Sequence, residues 1–325
     1  MSEISSITHS KILVSALDWG FGHTGRTSVL IKQLIALENT IFFAGNDRQN
    51  AFIKKEFPLI ETIELQGYKV QLDSKISTYK QIIRQAFKIK NAIKYEQNWL
   101  KNIVKTTPFD FIISDNRYGF YHPEIPNVIL THQISMQIPF GKRLINYFLK
   151  LKINKFDACW IPDDKTHSLS GKLSQGKLKI PIYYIGPLSR FNLIDASNFK
   201  FDYLFMTTGP EPECHQFLEK VITTVNKHNL IAAIAVPKKY NESKKATTAS
   251  IYYELDTKSL EKLINSSKVV VSRSGYTTIM DLTPNKKPMI LIPTKNQFEQ
   301  LYLSTLHGHK NISNSLAHVI KRELS

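Results

Sequence analysis

The feature that most constrains the fold of this chain is the alternation of short apolar runs with helix-like segments. Residues 12–17 form a compact apolar run, which is typical of a strand buried on both faces. Residues 27–38 follow as an amphipathic helix pattern, and residues 40–44 are again rich in β-formers. The same alternation returns from residue 203 onward. This pattern predicts an α/β protein with parallel sheets.

Further elements extend the pattern through both halves of the chain. Strands are predicted at 109–114, 127–131, 158–162, 182–185, 203–207, 230–236, 268–272 and 288–293. Helices are predicted at 77–105, 142–155, 215–227, 257–265, 277–282 and 314–324. A polar stretch around 186–199 separates the two halves. We therefore predict two Rossmann-like domains, residues 1–190 and 191–325, that face a cleft where a ligand would bind.

The composition is that of a folded globular protein. The chain has 325 residues, of which 42% are hydrophobic and 22% charged, and this balance excludes a disordered chain. Its two cysteines argue against a disulfide scaffold and suit a reducing compartment. No stretch approaches the roughly 20 apolar residues of a membrane span, and the start lacks a secretory-signal pattern. We therefore expect a cytoplasmic protein.

The positive charge of the chain, formally +16, is concentrated in its first half. Residues 1–190 hold 26 Lys/Arg and 15 Asp/Glu, a surplus of 11, whereas residues 191–325 hold 17 and 12, a surplus of 5. Such charge serves nucleic acid, an anionic membrane or a phosphorylated substrate, or it only keeps the protein soluble. No nucleic-acid-binding module accompanies it, which argues against nucleic acid. Residues 142–152 mix cations with Leu, Ile, Tyr and Phe, which fits either a helix on the inner face of a membrane or a core-packed helix with solvated lysines.

A glycine-bearing segment follows the first predicted strand. Gly20, Gly22 and Gly25 surround His23 with the spacing of a dinucleotide fingerprint. That fingerprint also requires an acidic residue at the end of the second strand, whereas Asp47 lies in a turn-like run. His23 is therefore either an ordinary loop histidine or, if it faces a cleft, a general base.

Polar residues also end the next two predicted strands. Ser114-Asp115-Asn116-Arg117 follows one strand and Thr131-His132-Gln133 follows the other. Because ligands of open parallel sheets bind beyond the carboxyl ends of the strands, these residues are expected to line one crevice. Asp115 is the second candidate base, or the residue that orients His23.

The most informative motif lies between residues 271 and 300. A strand leads into Arg273-Ser274-Gly275-Tyr276 and then into a helix that carries Asp281. Backbone N–H groups at such a loop form a nest for phosphate, and the Asp281 carboxylate could accept hydrogen bonds from two sugar hydroxyls. A second loop, after the next strand, carries Glu299 and Gln300. The alternative is a pair of well-capped helices without a ligand.

The segment from Arg273 to Gln300 resembles the nucleotide-sugar signature of family-28 glycosyltransferases, which include the N-acetylglucosaminyltransferase of peptidoglycan synthesis. The opening segment from Gly20 to Arg26 is similar to their Gly-x-Gly-His-x-x-Arg loop. Residues 207–212 stand where the family has a Gly-rich turn. Parts of the chain also resemble uncharacterised bacterial relatives. The resemblance implies two Rossmann-like domains of the B type (GT-B) and transfer of a sugar from a nucleotide donor.

The resemblance also implies roles for particular residues. The nucleotide sugar would be bound by Thr208, Gly209, Leu255, Arg273, Ser274, Gly275, Tyr276, Asp281, Glu299 and Gln300. Within this set Gly275 and its neighbours would bind the diphosphate, Asp281 the ribose, and Glu299 with Gln300 the donor sugar. The catalytic candidates are His23 and Asp115. Acceptor binding is assigned to Gly22, Arg26, Asn116, Arg117 and His132.

The sequence thus predicts an inverting glycosyltransferase that moves a sugar, from a UDP-sugar donor, to a hydroxyl of a glycan or lipid-linked cell-envelope acceptor. No Asp-x-Asp motif or His/Cys cluster is evident, so we expect no metal and no cofactor besides the donor co-substrate. Two alternatives stay open. A nucleotide-sugar epimerase on the same fold would need further carboxylates in the cleft, and a non-catalytic nucleotide-sugar-binding subunit would need no base.

Overall fold

A computed structural model describes residues 4–19, 21–68, 86–192, 198–209, 211–238, 247–308 and 315–325. The described residues divide into two compact units. Unit 1 comprises residues up to Leu188, and unit 2 begins at Ser189. Each unit has its own parallel sheet and its own hydrophobic core. The predicted fold class, α/β with two Rossmann-like units, is thereby confirmed.

Unit 1 is built on a seven-stranded parallel sheet with the order β3-β2-β1-β4-β5-β6-β7. Its strands are β1 (Lys11–Ala16), β2 (Thr40–Gly45), β3 (Glu61–Glu64), β4 (Phe111–Asp115), β5 (Asn127–Leu130), β6 (Ala158–Ile161) and β7 (Ile182–Tyr184). Its helices are α1 (Phe21–Ala36), α2 (Asp47–Glu56), α3 (Ala86–Thr106) and α4 (Lys142–Ile153). The central strands are fully buried, as their continuous apolar sequence predicts.

Unit 2 repeats this plan with five parallel strands in the order β10-β9-β8-β11-β12. The strands are β8 (Phe201–Met206), β9 (Ala232–Val236), β10 (Ser250–Tyr253), β11 (Ser267–Arg273) and β12 (Met289–Ile292). The helices are α5 (Glu213–His228), α6 (Thr257–Asn265), α7 (Tyr276–Leu282), α8 (Phe298–His307) and α9 (Ser315–Leu324). The last helix packs on this unit, because Ala317, Ile320 and Leu324 belong to its core.

Both sheets have the same switch point, where the strand order reverses direction. In unit 1 it lies between β1 and β4, and in unit 2 between β8 and β11. The register pairs Ala16 with Asp115 at the first and Met206 with Ser272 at the second. Ligands of open α/β sheets bind at this point, beyond the carboxyl ends of the strands.

Two segments differ from the pattern in the sequence. The first helix begins at Phe21 rather than at residue 27, so Gly22, His23, Gly25 and Arg26 lie in its first turns rather than in a loop. The second segment begins at Asp47, which starts helix α2 instead of lying in a turn, because Asn46 and Gln49 form a reciprocal capping box. Strands β3 and β10 and helix α8 were not predicted, and the predicted helical residues 77–85 lie outside the described part of the chain.

Among the described residues, no helix is both long enough and apolar enough to cross a membrane.

Candidate functional site

The switch point of unit 1 holds a buried polar cluster around Asp115. Asp115 is the last residue of β4 and is 1% exposed. His23, Arg26 and Thr27 stand at positions i, i+3 and i+4 of α1, and this spacing places them on one face of the helix. All three of their side chains contact the Asp115 carboxylate.

The Asp115 carboxylate accepts hydrogen bonds at both oxygens. Thr27 Oγ1 donates to Oδ2 at 2.9 Å and Arg26 Nε donates to the same oxygen at 2.7 Å. Arg26 Nη2 donates to Oδ1 and completes a bidentate ion pair. Burial alone would raise the pKa of Asp115, but the cationic Arg26 and the neighbouring His23 outweigh burial and hold this pKa well below its usual range. Asp115 is therefore ionised at neutral pH.

The position of the Asp115 carboxylate determines the tautomer of His23. His23 Nδ1 lies 2.8 Å from Asp115 Oδ1 and 3.0 Å from Arg26 Nη2. An ionised carboxylate only accepts hydrogen bonds, so the shorter contact, to Asp115, assigns the proton to Nδ1. Arg26 Nη2 donates to Asp115 Oδ1, and its longer contact with His23 Nδ1 is then not a hydrogen bond. This leaves the lone pair of a neutral imidazole on Nε2. The His23 side chain is 20% exposed, so the ring is open to solvent on one side.

A second histidine closes the cluster on the side of β5. Arg26 Nη1 lies 3.0 Å from Nδ1 of His132, which is 5% exposed. Since a guanidinium only donates, His132 Nδ1 is the acceptor. Arg26 thus joins Asp115, His23 and His132 from a fully buried position.

The residues assigned to acceptor binding lie at different depths. Gly22 is half-buried in the first turn of α1. Asn116 is buried with a left-handed φ of 59°, and its Oδ1 has no hydrogen-bond partner among the described residues. Arg117 is fully buried, and its Nε donates to Glu96 Oε1 at 2.5 Å. In this structure Arg26 forms a buried ion pair with Asp115, and Arg117 forms one with Glu96. Their roles in acceptor binding stay predictions.

The switch point of unit 2 is formed by two loops with glycines. Thr208 and Gly209 follow β8, and Ser274 and Gly275 follow β11. Gly209 has a φ of 129°, a conformation that favours glycine. A Cβ added at Gly209 or at Gly275 would meet no atom within 4 Å, so both glycines border open space.

Gly275 is the N-cap of α7, and it provides no side chain that could cap the first N–H groups of that helix. The Ser274 hydroxyl donates to the backbone oxygen of Gln300 at 2.8 Å. The side-chain Oε1 of Gln300 accepts from the Thr294 N–H at 2.8 Å. The loop after β11 is thereby tied to the segment after β12, and Glu299 with Gln300 lies in the first turn of α8 rather than in a loop.

Three of the predicted donor-binding side chains point into unit 2. The Arg273 guanidinium lies 4.1 Å from the Phe217 ring centroid, and burial lowers the pKa of Arg273 to about 10. Tyr276 is 3% exposed, so its backbone is better placed than its ring to meet a ligand. Leu255 packs against the hydrophobic core of this unit.

Asp281 is also buried, and the sequence did not predict that Arg190 is its ion-pair partner. Arg190 Nη2 donates to Asp281 Oδ2 at 2.6 Å, and the Arg190 backbone N–H donates to Oδ1 at 2.9 Å. Ser189 Oγ donates to the Asp281 backbone oxygen. Asp281 therefore anchors the start of unit 2 in this structure, and its role toward a ribose stays a prediction.

Thr27 was missed as well. Its signal was its position four residues after His23, which is informative only once α1 is known to begin at Phe21.

Comparison with known proteins gives one family match, in unit 2, and several similar folds. Residues 216–306 match the glycosyltransferase family 28 C-terminal domain. None of the curated proteins matches the chain. Three similar solved structures are each 12% identical to this chain and cover 97% of it. They are a spinosyn rhamnosyltransferase, SpnG, complexed with thymidine diphosphate (TM-score 0.64, 96% of that chain), the Arabidopsis thaliana enzyme UGT89C1 complexed with UDP-L-rhamnose (0.62, 90%) and the glycotransferase of kitacinnamycin (0.61, 95%).

The family match covers the segment with the donor-loop signature, and the structural likeness extends over nearly the whole length of the chain. At 12% identity the likeness shows the fold, and the family-28 domain indicates the enzyme class. The chain is therefore a family-28-like glycosyltransferase with the two-unit GT-B fold.

Proposed function

We propose that this protein is an inverting glycosyltransferase that moves a sugar from a UDP-sugar to the hydroxyl of a lipid-linked or cell-envelope glycan acceptor. The observation that carries the mechanism is the hydrogen bond between His23 Nδ1 and Asp115 Oδ1. In the neutral imidazole this contact puts the lone pair on Nε2, at the switch point of unit 1, as a general base requires.

In the proposed reaction His23 Nε2 takes the proton of the acceptor hydroxyl. The acceptor oxygen forms a bond to the anomeric carbon of the donor while the bond from that carbon to the diphosphate oxygen breaks. UDP leaves with the electron pair, and the configuration at the anomeric carbon inverts. Asp115 stabilises the imidazolium that forms and is a positioning residue, because its carboxylate is held ionised by Arg26.

Unit 2 would hold the donor. The start of α7, where the N-cap glycine provides no side-chain cap, and the open space beside Gly275 support a diphosphate site there, together with the family-28 match of this segment. Backbone amides would then neutralise the leaving diphosphate, and we propose that no metal ion is required.

The donor assignment is tested by thermal-shift measurements with UDP, thymidine diphosphate, GDP and UDP-sugars, because a ligand of the native state raises the melting temperature. UDP and at least one UDP-sugar should raise it, with or without EDTA. If thymidine diphosphate alone stabilises the protein, the UDP assignment is wrong. A shift that disappears with EDTA would contradict metal independence.

The reaction itself is tested with the donor found in that screen. We expect the product to have the anomeric configuration opposite to that of the donor, as read from the anomeric proton coupling in NMR. Retention of configuration would contradict the proposed role of His23. Release of an epimerised sugar with no acceptor product would favour the epimerase alternative instead.

A further inference from the structure

Helix α4 of unit 1 exposes an apolar face to solvent. In the described part of the chain, twelve large hydrophobic side chains are exposed, and five of them lie within residues 140–151. They are Phe140 (77%), Leu144 (62%), Tyr147 (59%), Phe148 (56%) and Leu151 (39%). Four of the five lie on α4 and Phe140 lies two residues before it. Such a concentration marks an interaction surface rather than scattered surface residues.

The opposite face of α4 is already used by the fold. Ile153 is fully buried and Leu149 packs against the same hydrophobic cluster, which also contains Ile129 and Phe156. Asn146 binds the Met136 backbone at both ends of its amide, since Oδ1 accepts from the N–H at 2.7 Å and Nδ2 donates to the carbonyl at 3.3 Å. The helix is therefore held in one orientation, with the apolar face outward.

Cations border this apolar face on both sides. At about 100° per residue, the exposed side chains of Leu144, Tyr147, Phe148 and Leu151 span an arc of about 100° on the helix. On the same scale Arg143 and Lys152 fall about 40° beyond its two edges. Neither cation has a carboxylate nearby in the sequence, because residues 125–156 contain no Asp or Glu.

We propose that the α4 face, defined as Phe140, Leu144, Tyr147, Phe148 and Leu151 with the flanking cations Arg143 and Lys152, docks this protein on an anionic lipid bilayer. The apolar side chains would enter the boundary between headgroups and acyl chains, where Tyr and Phe are favoured, and the cations would contact the anionic headgroups. An acidic protein partner is less well matched, because the face itself is apolar and only its edges are charged.

This inference deepens the proposed function, since a lipid-linked acceptor requires an enzyme that reaches the membrane surface. Its test needs neither donor nor turnover, so its failure can be told apart from a failure of the proposed reaction. The full chain is sedimented with phosphatidylcholine vesicles, with and without phosphatidylglycerol. Binding is expected to require phosphatidylglycerol and to weaken with salt.

Two double variants separate the apolar and the charged contributions. Leu144→Gln with Phe148→Gln should abolish sedimentation, and Arg143→Glu with Lys152→Glu should weaken it at least about tenfold, because each cation near an anionic surface contributes to binding. These four side chains are exposed and make no hydrogen bond or ion pair with the described residues, so the melting temperature should stay unchanged.

Matched controls use exposed residues outside α4. Leu59→Gln with Ile231→Gln removes as much exposed apolar surface, and Lys220→Glu with Lys258→Glu reverses as much exposed charge. Both controls should sediment with vesicles almost like the unchanged protein. Equal losses in the controls and in the α4 variants would overturn the proposal, as would absence of vesicle binding by the unchanged protein. Light scattering measures the oligomeric state. If the unchanged protein is a dimer and only the α4 apolar variant is a monomer, the face binds a second copy of the chain instead.

Discussion

The two switch points occupy equivalent places in two sheets of the same topology, yet they present different kinds of polar group. In unit 1 the groups are side chains that bind one another, with Arg26 and Asp115 almost completely buried. In unit 2 the side chains of Tyr276 and Asp281 are turned into the fold, and what borders open space is backbone at Gly209 and Gly275. The first arrangement fixes the tautomer of one neutral histidine, whereas the second places glycine backbone beside open space.

The difference matches the two tasks that we propose for the two units. A base needs a side chain whose proton position is determined by fixed neighbours, and this requires buried charge. A diphosphate needs several donors that approach closely, and this requires glycine and an uncapped helix start. Four predictions test this division.

The largest effect is expected for His23→Ala. Loss of a general base lowers turnover by about 10²–10⁴-fold, while the melting-temperature shift with UDP should be unchanged because the proposed donor site lies in unit 2. Steady-state kinetics with the donor found in the screen measure the first quantity. His318→Ala, an exposed histidine of α9, is the control and should keep full activity. Full activity of His23→Ala would show that another group is the base.

Asp115→Asn should lower the free energy of unfolding and change its dependence on pH, besides lowering turnover through His23. Removing one partner of a buried ion pair costs about 3–5 kcal/mol, because Arg26 stays buried without a counter-charge. The pKa of Asp115 is lower in the folded state, so its stabilisation is fully present above the ordinary Asp value of about 4 and is lost as the pH falls toward the folded value. Urea unfolding should therefore show a difference between the two proteins that is constant from pH 7 to about 5 and shrinks below about 4.

The milder Thr27→Val keeps this prediction testable if Asp115→Asn does not fold. It removes one hydrogen bond to the carboxylate and should cost about 1 kcal/mol. A difference between Asp115→Asn and the unchanged protein that grows on acidification would contradict the direction of the pKa shift.

Arg190→Met tests the ion pair that anchors the start of unit 2. The Asp281 carboxylate is buried and would lose its cationic partner, so the free energy of unfolding should fall by about 2–4 kcal/mol. Asp281→Asn in the same background should recover part of that loss, because a neutral amide needs no counter-charge. A double variant no more stable than Arg190→Met would show that the pair is not coupled. If Asp281→Asn alone also removes UDP binding, the ribose role is supported.

Gly275→Val is expected to have the smallest effect on the protein without ligand. The Cβ of the added side chain meets no atom within 4 Å and the φ of −73° suits any residue, so the melting temperature should change by only about a degree or two. The shift caused by UDP should be lost, because the side chain would fill the space beside the helix start. A normal UDP shift in this variant would place the diphosphate elsewhere.

Much of the fold follows from local pattern. The buried strands β1, β4, β5, β9 and β12 were predicted to within a few residues, because their runs are apolar on both faces. Strands β3 and β10 were missed, since both lie at sheet edges and are only partly buried. Helix α1 was predicted to begin six residues too late, because Gly22 and Gly25 oppose helix formation, whereas contacts of His23, Arg26 and Thr27 with Asp115 favour it.

The sequence by itself determined the fold class, the two sets of polar residues after the strands, and the likeness to family-28 glycosyltransferases, because strand burial and loop motifs are local in the chain. The tertiary structure decided what those residues contact. His23 and Asp115 are 92 positions apart in sequence, and so only the parallel pairing of β1 with β4 brings them within hydrogen-bond distance. The same holds for Arg190 with Asp281 and for the outward face of α4, because pairing and exposure are set by the packing of distant segments and not by neighbours in the chain.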